Sequence, residues 1–342
     1  MPTIRDVARK AGVAPITVSR VINNSGYVSD ETRAKVEIAV AELHYVPNTL
    51  ARSLRSNRTK VLALIVTDIT NPFWTTVARG VEDLANQHGF NVILCNTDES
   101  ESKQVDYVTV LLQKQVDGFL FVPARSTPDS VRKIQSQNVP VVVLDRQIPG
   151  AEVDVVRGDS EKGAHELVQL LISLGHKRIA MLSGPRTIST SVQRVKGYQR
   201  ALTEAGVTAK EELIYYGEYN QAGGYQTARQ AQSTLPQPTA LFAANNFIAM
   251  GALMALREAR VRVPRDVSVV CFDDIPPWLM IDPFLTVASQ PAYAMGQQAT
   301  QLLLDRLTGV LPSHPQEIVL PVKIIVRKSS APPRNESGFS AT

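Results

Sequence analysis

Residues Ala11–Asn23 read AGVAPITVSRVIN, a run that demands two short helices joined by a tight turn at Gly12-Val13, the second starting near Pro15. Proline is tolerated there because the N–H it lacks would have no helical partner at a first turn. Upstream, Thr3-Ile4-Arg5-Asp6 offers a hydroxyl cap with a carboxylate three residues on, the pattern of a capping box. Ile4, Val7, Ala8 and Ala11 recur at helical spacing and give the first helix one apolar face. On the second helix Val18, Val21 and Ile22 make the inward face, which turns Ile16, Thr17, Ser19, Arg20 and Asn23 outward. Such a face can enter the DNA major groove. Arg20 can present paired donors to guanine O6 and N7. Thr17, Ser19 and Asn23 are short enough to reach phosphates or base edges. The same face also suits a solvated helix in a small bundle, so on its own it leaves both readings open.

Ser29-Asp30-Glu31-Thr32 caps a third helix, which His44-Tyr45-Val46-Pro47 stops. Residues 1–60 carry ten Lys/Arg and five Asp/Glu, whereas the remainder carries 26 and 27. A basic head on a near-neutral body favours a polyanionic partner. At 342 residues the chain has room for two or three domains. No apolar run reaches the ~18 residues of a membrane span. The start, Met-Pro-Thr-Ile-Arg-Asp, lacks the apolar stretch of a secretory signal, so a cytoplasmic protein with no membrane partner is expected. Cys95 and Cys271 sit in apolar strand-like runs and read as buried thiols rather than a disulfide or a metal site.

From Val61 the pattern becomes alternating strand and helix. Strands are expected at Val61–Val66, Phe90–Cys95, Val116–Val122 and Val139–Leu144, with helices at Trp74–His88, Lys103–Gln115 and Ser130–Asn138 between them. A second series has strands at Arg178–Leu182, Leu213–Tyr216, Ala240–Ala244 and Val267–Phe272, and helices at Glu161–Leu174, Arg194–Ala205, Gly223–Ser233 and Ile248–Ala259. Short continuous apolar strands fit parallel sheets covered on both faces. Two such series imply two doubly wound lobes. Thr286–Gln290, helix Ala292–Leu307, Glu317–Leu320 and Lys323–Arg327 are expected to cross between them. Ligands of open parallel sheets sit beyond the carboxyl ends of strands. The polar residues there are Asp68, Asp145, Asn245 and Asp273, each of which could equally be a helix cap.

In order, the segments DVA, AGV, TVSRVIN, TR, EL, PN and AR-SL resemble the LacI/GalR (lactose/galactose repressor) family of bacterial transcription regulators, and the resemblance runs through nearly the whole chain. It implies a multidomain protein: an all-α helix-turn-helix head at 1–46, a hinge helix or linker at 47–59, and an α/β periplasmic-binding-protein-like core of two doubly wound lobes. The N-terminal lobe would comprise 60–159 and 289–319, the C-terminal lobe 160–288 and 320–330, with a disordered tail at 331–342. In the head the implied DNA-facing set is Thr3, Pro15, Ile16, Thr17, Ser19, Arg20 and Asn23, and in the hinge Asn48, Arg52, Leu54 and Arg55. Leu54 would wedge into the central minor-groove step, which bends a duplex. Pro15 and Ile16 stand at two base-reading positions yet offer bases no hydrogen bond, which leaves Arg20, methyl contacts and DNA deformability to read sequence.

In the core the resemblance assigns effector contact to Asp145 in VVLDR, Arg194, Asn245 in FAANN and Asp273 in CFDD. Phe73 and Trp74 in ITNPFW, and Tyr219 in GEYN, would line the mouth as aromatic walls or simply fill core. Two departures bear on the ligand. Asn246 replaces a usual aspartate, and purine-binding members carry an arginine near the position of Ile188. A neutral, hydroxyl-rich effector, a carbohydrate, is therefore expected over a purine. The tail has no leucine heptad, which implies a homodimer rather than a coiled-coil tetramer. The expected partners are double-stranded, pseudo-palindromic operator DNA and the effector, with no cofactor or metal. The competing reading is a sugar-binding protein of a transporter, which leaves residues 1–59 unexplained. An enzyme is not expected: the nucleotide-binding loops, G-x-S-x-G and metal spacings are missing from the sequence.

Overall fold

The computed structural model describes residues 2–46, 58–275, 282–312 and 314–334, so the hinge positions Asn48, Arg52, Leu54 and Arg55 lie outside the described residues. The chain forms two compact units, Met1–Thr59 and Lys60–Thr342.

In the first unit, α1 (Ile4–Ala11), α2 (Pro15–Ile22) and α3 (Asp30–Glu42) pack around Val7, Ala8, Val18, Val21, Val36 and Ala39. Thr3 and Asp6 make the expected capping box, and Ser29 caps α3. Gly12 ends α1 with φ +68°, a left-handed conformation that glycine adopts without steric cost. Its N–H bonds back to Ala8 and Arg9. This glycine sets the turn between the two helices.

The second unit holds two six-stranded sheets. The first contains β1 (Val61–Val66), β2 (Asn91–Asn96), β3 (Gly118–Phe121), β4 (Val141–Leu144), β5 (Asp154–Gly158) and β11 (Glu317–Leu320), in the order β11-β5-β4-β3-β1-β2 and parallel throughout. Helices α4 (Pro72–Gln87) and α11 (Ala292–Thr308) cover one face, and α5 (Glu101–Gln113) and α6 (Asp129–Gln135) the other. The second contains β6 (Ile179–Ser183), β7 (Ile214–Tyr216), β8 (Ala240–Ala243), β9 (Ser268–Phe272), β10 (Thr286–Ser289) and β12 (Lys323–Ile325), in the order β12-β10-β9-β8-β6-β7 with β12 antiparallel. It packs with α7 (Ser160–Ser173), α8 (Ser189–Glu204), α9 (Gln221–Ser233) and α10 (Asn246–Glu258) around one core. The chain passes between lobes after β5, β10 and β11.

Four expectations need correction. Strand β5 was not anticipated, because its short apolar centre is bracketed by charge. Asp154 is neutralised by Arg306 (2.6 Å) and Arg157 by Glu317 (2.6 Å), partners far along the chain. Helix α8 starts at Ser189, not Arg194; tertiary bonds from Thr190 and Ser191 to the Tyr219 hydroxyl offset their weak helix propensity. Strand β2 is an edge strand, so Ile93 and Leu94 are 36% and 38% exposed rather than covered on both faces. The tail expected to be disordered from 331 is anchored at its start, next to the buried Ser329. Ser329 is buried and bonds to Val269 O (2.6 Å), and the Ala331 carbonyl accepts from the Ser268 hydroxyl (2.9 Å) and lies 2.9 Å from His176 Nε2. Burial holds the His176 imidazole below its usual pKa, in the neutral form that suits this packing. Residues 335–342 lie outside the described set.

Candidate functional site

In the head, α2 presents Pro15, Ile16 and Arg20 to solvent, with Thr17, Ser19 and Asn23 half-buried. The sharing of tasks differs from the sequence reading. The Asn23 amide donates back to Ser19 O (2.8 Å) and Ser19 Oγ (3.2 Å), so its donor side is already engaged within the helix. The Thr3 hydroxyl is engaged by Asp6 (2.7 Å). Arg20 is left as the long donor on this face. Its stem lies over Gly26, in a turn pinned by Arg33 donating to Asn24 (2.8 Å).

In the larger unit, Phe73, Trp74, Asp145, Arg194, Tyr219, Asn245 and Asp273 all line one narrow cleft between the lobes, with a cavity volume of about 30 Å3. The topology explains the convergence. Asp145 follows β4 and Asp273 follows β9, and both turn through the left-handed region (φ +62° and +66°), which bends each chain away from its sheet at the strand end. Such strain in non-glycine residues clusters at functional sites. Asn245 follows β8 and caps α10 by accepting from Ile248 N (2.8 Å), so cap and cleft-lining roles coincide. Phe73 and Trp74 likewise do both: they pack edge to face at 4.8 Å in the lobe core and still reach the cleft. Tyr219 stands over Gly184, where a Cβ would come within 2.4 Å of its ring.

The cleft also contains residues that sequence reasoning left out of the site: Thr67, Asn71, Glu99, Arg146 and Thr190, together with Asp68, which it had placed only at a strand end. Arg146 follows Asp145 directly, but its partner Glu99 is 47 residues away (2.5 and 2.7 Å), so the pair is invisible in one dimension. Only the juxtaposition of Arg146 with Asp145 in VVLDR could have flagged it.

Charge is unevenly met here. Arg194 is buried, donates to Ala244 O (2.6 Å), stacks on Phe272 (3.8 Å) and lies 3.9 Å from Asp273. Gln290 donates to the other Asp273 oxygen (2.7 Å). Burial outweighs these contacts and pushes the Asp273 carboxyl up to about 6. Asp145 Oδ1 and Arg146 Nε are buried with no hydrogen-bond partner among the described residues. A buried acceptor and donor left unsatisfied are costly, and a ligand bearing both kinds of group would satisfy them. Four carboxyls (Asp68, Glu99, Asp145, Asp273) face two guanidiniums (Arg146, Arg194). The described residues contain no cluster suited to a metal ion and no helix long and apolar enough to cross a membrane.

Comparison with known proteins bears on both regions. A family model for bacterial regulatory proteins of the lacI family matches residues 3–48, and one for periplasmic binding proteins and the sugar-binding domain of the LacI family matches residues 59–328. The HTH-type transcriptional repressor PurR of Vibrio atlanticus is 38% identical over 324 residues, covering 92% of this chain and 97% of that one. Among solved structures, a complex of the transcriptional regulator CelR with cellobiose is 34% identical with a TM-score of 0.74, covering 96% of this chain and all (100%) of that one. The lac repressor dimer bound to operator and the anti-inducer ONPF is 29% identical with a TM-score of 0.83, covering 96% and 99%.

Proposed function

The chain belongs to the LacI family of bacterial regulatory proteins, and from that premise we propose that it is a homodimeric repressor whose hold on a pseudo-palindromic operator is set by a neutral sugar or sugar derivative between its lobes. The observation that carries the effector reading is the cleft itself. Seven residues drawn from both lobes meet in it, two buried polar atoms lack partners, and carboxyls outnumber guanidiniums. Hydroxyls donate to carboxylates and accept from guanidinium, and C–H faces pack on aromatic rings. A phosphate or sugar acid would meet net negative charge. A purine is disfavoured because Ile188, near the position where purine-binding members carry arginine, is fully buried and apolar. The open space, about 30 Å3, is far below the roughly 300–1,000 Å3 of ligand pockets, so a sugar is seated only as lining side chains move aside.

On this reading α2 enters the major groove of each half-site, and protein two-fold symmetry is mirrored in the operator. Arg20 reads a base while Thr17, Ser19, Pro15 and Ile16 fit the groove wall. The hinge residues Asn48, Arg52, Leu54 and Arg55 act at the centre of the operator, a role that rests on the family resemblance. Closing the lobes changes the spacing of the two protomers' hinge segments and so the stability of the complex. The protein works in the cytoplasm, on nucleoid DNA, without catalytic activity. The transport reading would leave the basic three-helix head without a task.

Gel retardation on palindromic duplexes at varied salt tests this. Affinity should fall steeply, with a log–log slope near −0.9 per phosphate contacted. An effector that weakens operator binding must itself bind less tightly on operator, by the same factor. Salt-independent binding, or effector affinity indifferent to operator, would sink the proposal. Acidity supplies a second test. A sugar hydroxyl donates far more strongly to the ionised Asp273 carboxylate than to its protonated form, and this carboxyl holds its proton below about 6. Effector affinity should thus be constant above pH 7 and fall as pH drops through 6, approaching tenfold per unit. Calorimetry from pH 5 to 8 reads this directly, and Asp273→Asn should flatten the profile.

A further inference from the structure

Asn71 caps α4 in the N-terminal lobe, and Asn246 opens α10 in the C-terminal lobe. Their side chains face each other across the cleft and exchange two hydrogen bonds: Asn71 Nδ2 donates to Asn246 Oδ1 (3.0 Å) and Asn246 Nδ2 to Asn71 Oδ1 (2.9 Å). Both are buried, at 5% and 0% exposure. Each amide is also oriented by its own helix. Asn71 Oδ1 accepts from Phe73 N (3.0 Å) and Asn246 Oδ1 from Phe247 N (2.8 Å). An oxygen that must receive a backbone N–H leaves the NH2 group only one way to point, toward the other lobe. All lone pairs and one donor of each amide are then used, so the pair is matched only in this closed arrangement. Two further bonds that reach across, from Gln147 to Ser189 Oγ (2.8 Å) and from Gln193 to Gln147 (2.6 Å), are only part-buried and exchange with water more readily.

We propose that the Asn71–Asn246 pair is an uncharged clasp that holds the two lobes together before ligand arrives. The inference rests on the reading of the lobes as closing on an effector. Its consequence is energetic. A ligand that needs the closed form binds with an affinity reduced by the fraction of molecules that are closed. A clasp that raises this fraction therefore raises apparent affinity without touching the ligand. The departure Asn246 gains a purpose here. An aspartate at 246 would keep the bond from Phe247 N but set an oxygen, in place of Nδ2, against Asn71 Oδ1. One bond is lost and two acceptors are opposed. Being amides, the pair has no titration, so the clasp holds at any pH where the fold survives.

The test uses the full chain without DNA or effector, labelled with a fluorescent pair at Lys114→Cys and Leu235→Cys in a Cys95→Ser background. Position 114 is an exposed site in the N-terminal lobe, position 235 is 80% exposed in the C-terminal lobe, and Cys271 is fully buried. Asn71→Asp keeps the oxygen that caps α4, since Asp caps as well as Asn, and Asn246→Asp keeps the oxygen that accepts from Phe247 N, yet each removes the donor that crosses the cleft. Each should lower the closed-to-open ratio in energy-transfer histograms about tenfold, as expected for a lost bond with opposed acceptors. Asn220→Asp, a cap substitution confined to α9, should leave the ratio unchanged. An unchanged ratio in both clasp variants, or equal opening in the Asn220 control, overturns the clasp. Because neither DNA nor effector enters the readout, that failure is distinct from failure of the repressor assignment, which the gel experiment decides.

Discussion

Arg194→Ala is expected to lower the unfolding free energy of the two-lobed unit by about 3–5 kcal/mol near neutral pH, the usual cost of leaving a buried charge without its partner. Arg194 and Asp273 are 2% and 6% exposed. Without the guanidinium, Asp273 faces Asp145 with only Gln290 donating to it. Asp273 in the folded chain already holds its proton up to about 6, against an ordinary carboxyl value of 3.8. Between those values the folded state binds more protons than the unfolded, so this group's penalty is full above pH 6 and is relieved as pH falls toward 3.8. Removing Arg194 pushes the carboxyl higher still and widens that window. Urea unfolding at pH 8 and pH 5 should therefore show the larger deficit at pH 8. Asp273→Asn placed on the Arg194→Ala background should recover part of it. A deficit equal at both pH values, with no recovery, would mean that Arg194 acts only through packing on Phe272 and its bond to Ala244 O.

The second large effect is expected at the head. Arg20→Ala should weaken operator binding by about 1–3 kcal/mol, roughly 5-fold to 150-fold, and relax preference at one base pair of each half-site. The structure sharpens this, because Asn23 and Ser19 are bonded to each other and leave Arg20 as the long donor on the exposed face of α2. A base contact and a phosphate contact differ in salt response. Loss of a base contact leaves the log–log salt slope as it was, whereas loss of a phosphate contact reduces it by about one. Selection of binding sites from a randomised duplex pool, with salt titration of the winner, separates the two. A shallower slope with unchanged base preference would move Arg20 to the DNA backbone.

The difference between the two sites explains how much of each was legible. The head is local: Thr3 caps four residues' worth of α1, Gly12 turns the chain, and Val7, Ala8, Val18 and Val21 meet within one helical hairpin. Short-range periodicity and capping chemistry therefore reach nearly all of it. They do not reach the Asn23–Ser19 bond, which depends on the rotamer that the packed helix leaves open. The cleft is non-local. Strand ends could be read from apolar runs, and they led to Asp145, Asn245 and Asp273. Arg146 was missed because Glu99 sits on another strand's loop, and β5 because its charges are met by Arg306 and Glu317.

What the residues dictate unaided is the order of elements: periods of 3.6 and 2, capping hydroxyls, and glycine or proline at turns act over a few residues and need no partner. The tertiary fold alone decided which charges are paired, which carboxyl holds its proton to about 6, and which two asparagines meet 175 residues apart. Those outcomes depend on burial and on distances between side chains remote in the chain. Both quantities come into being only when the two lobes have packed.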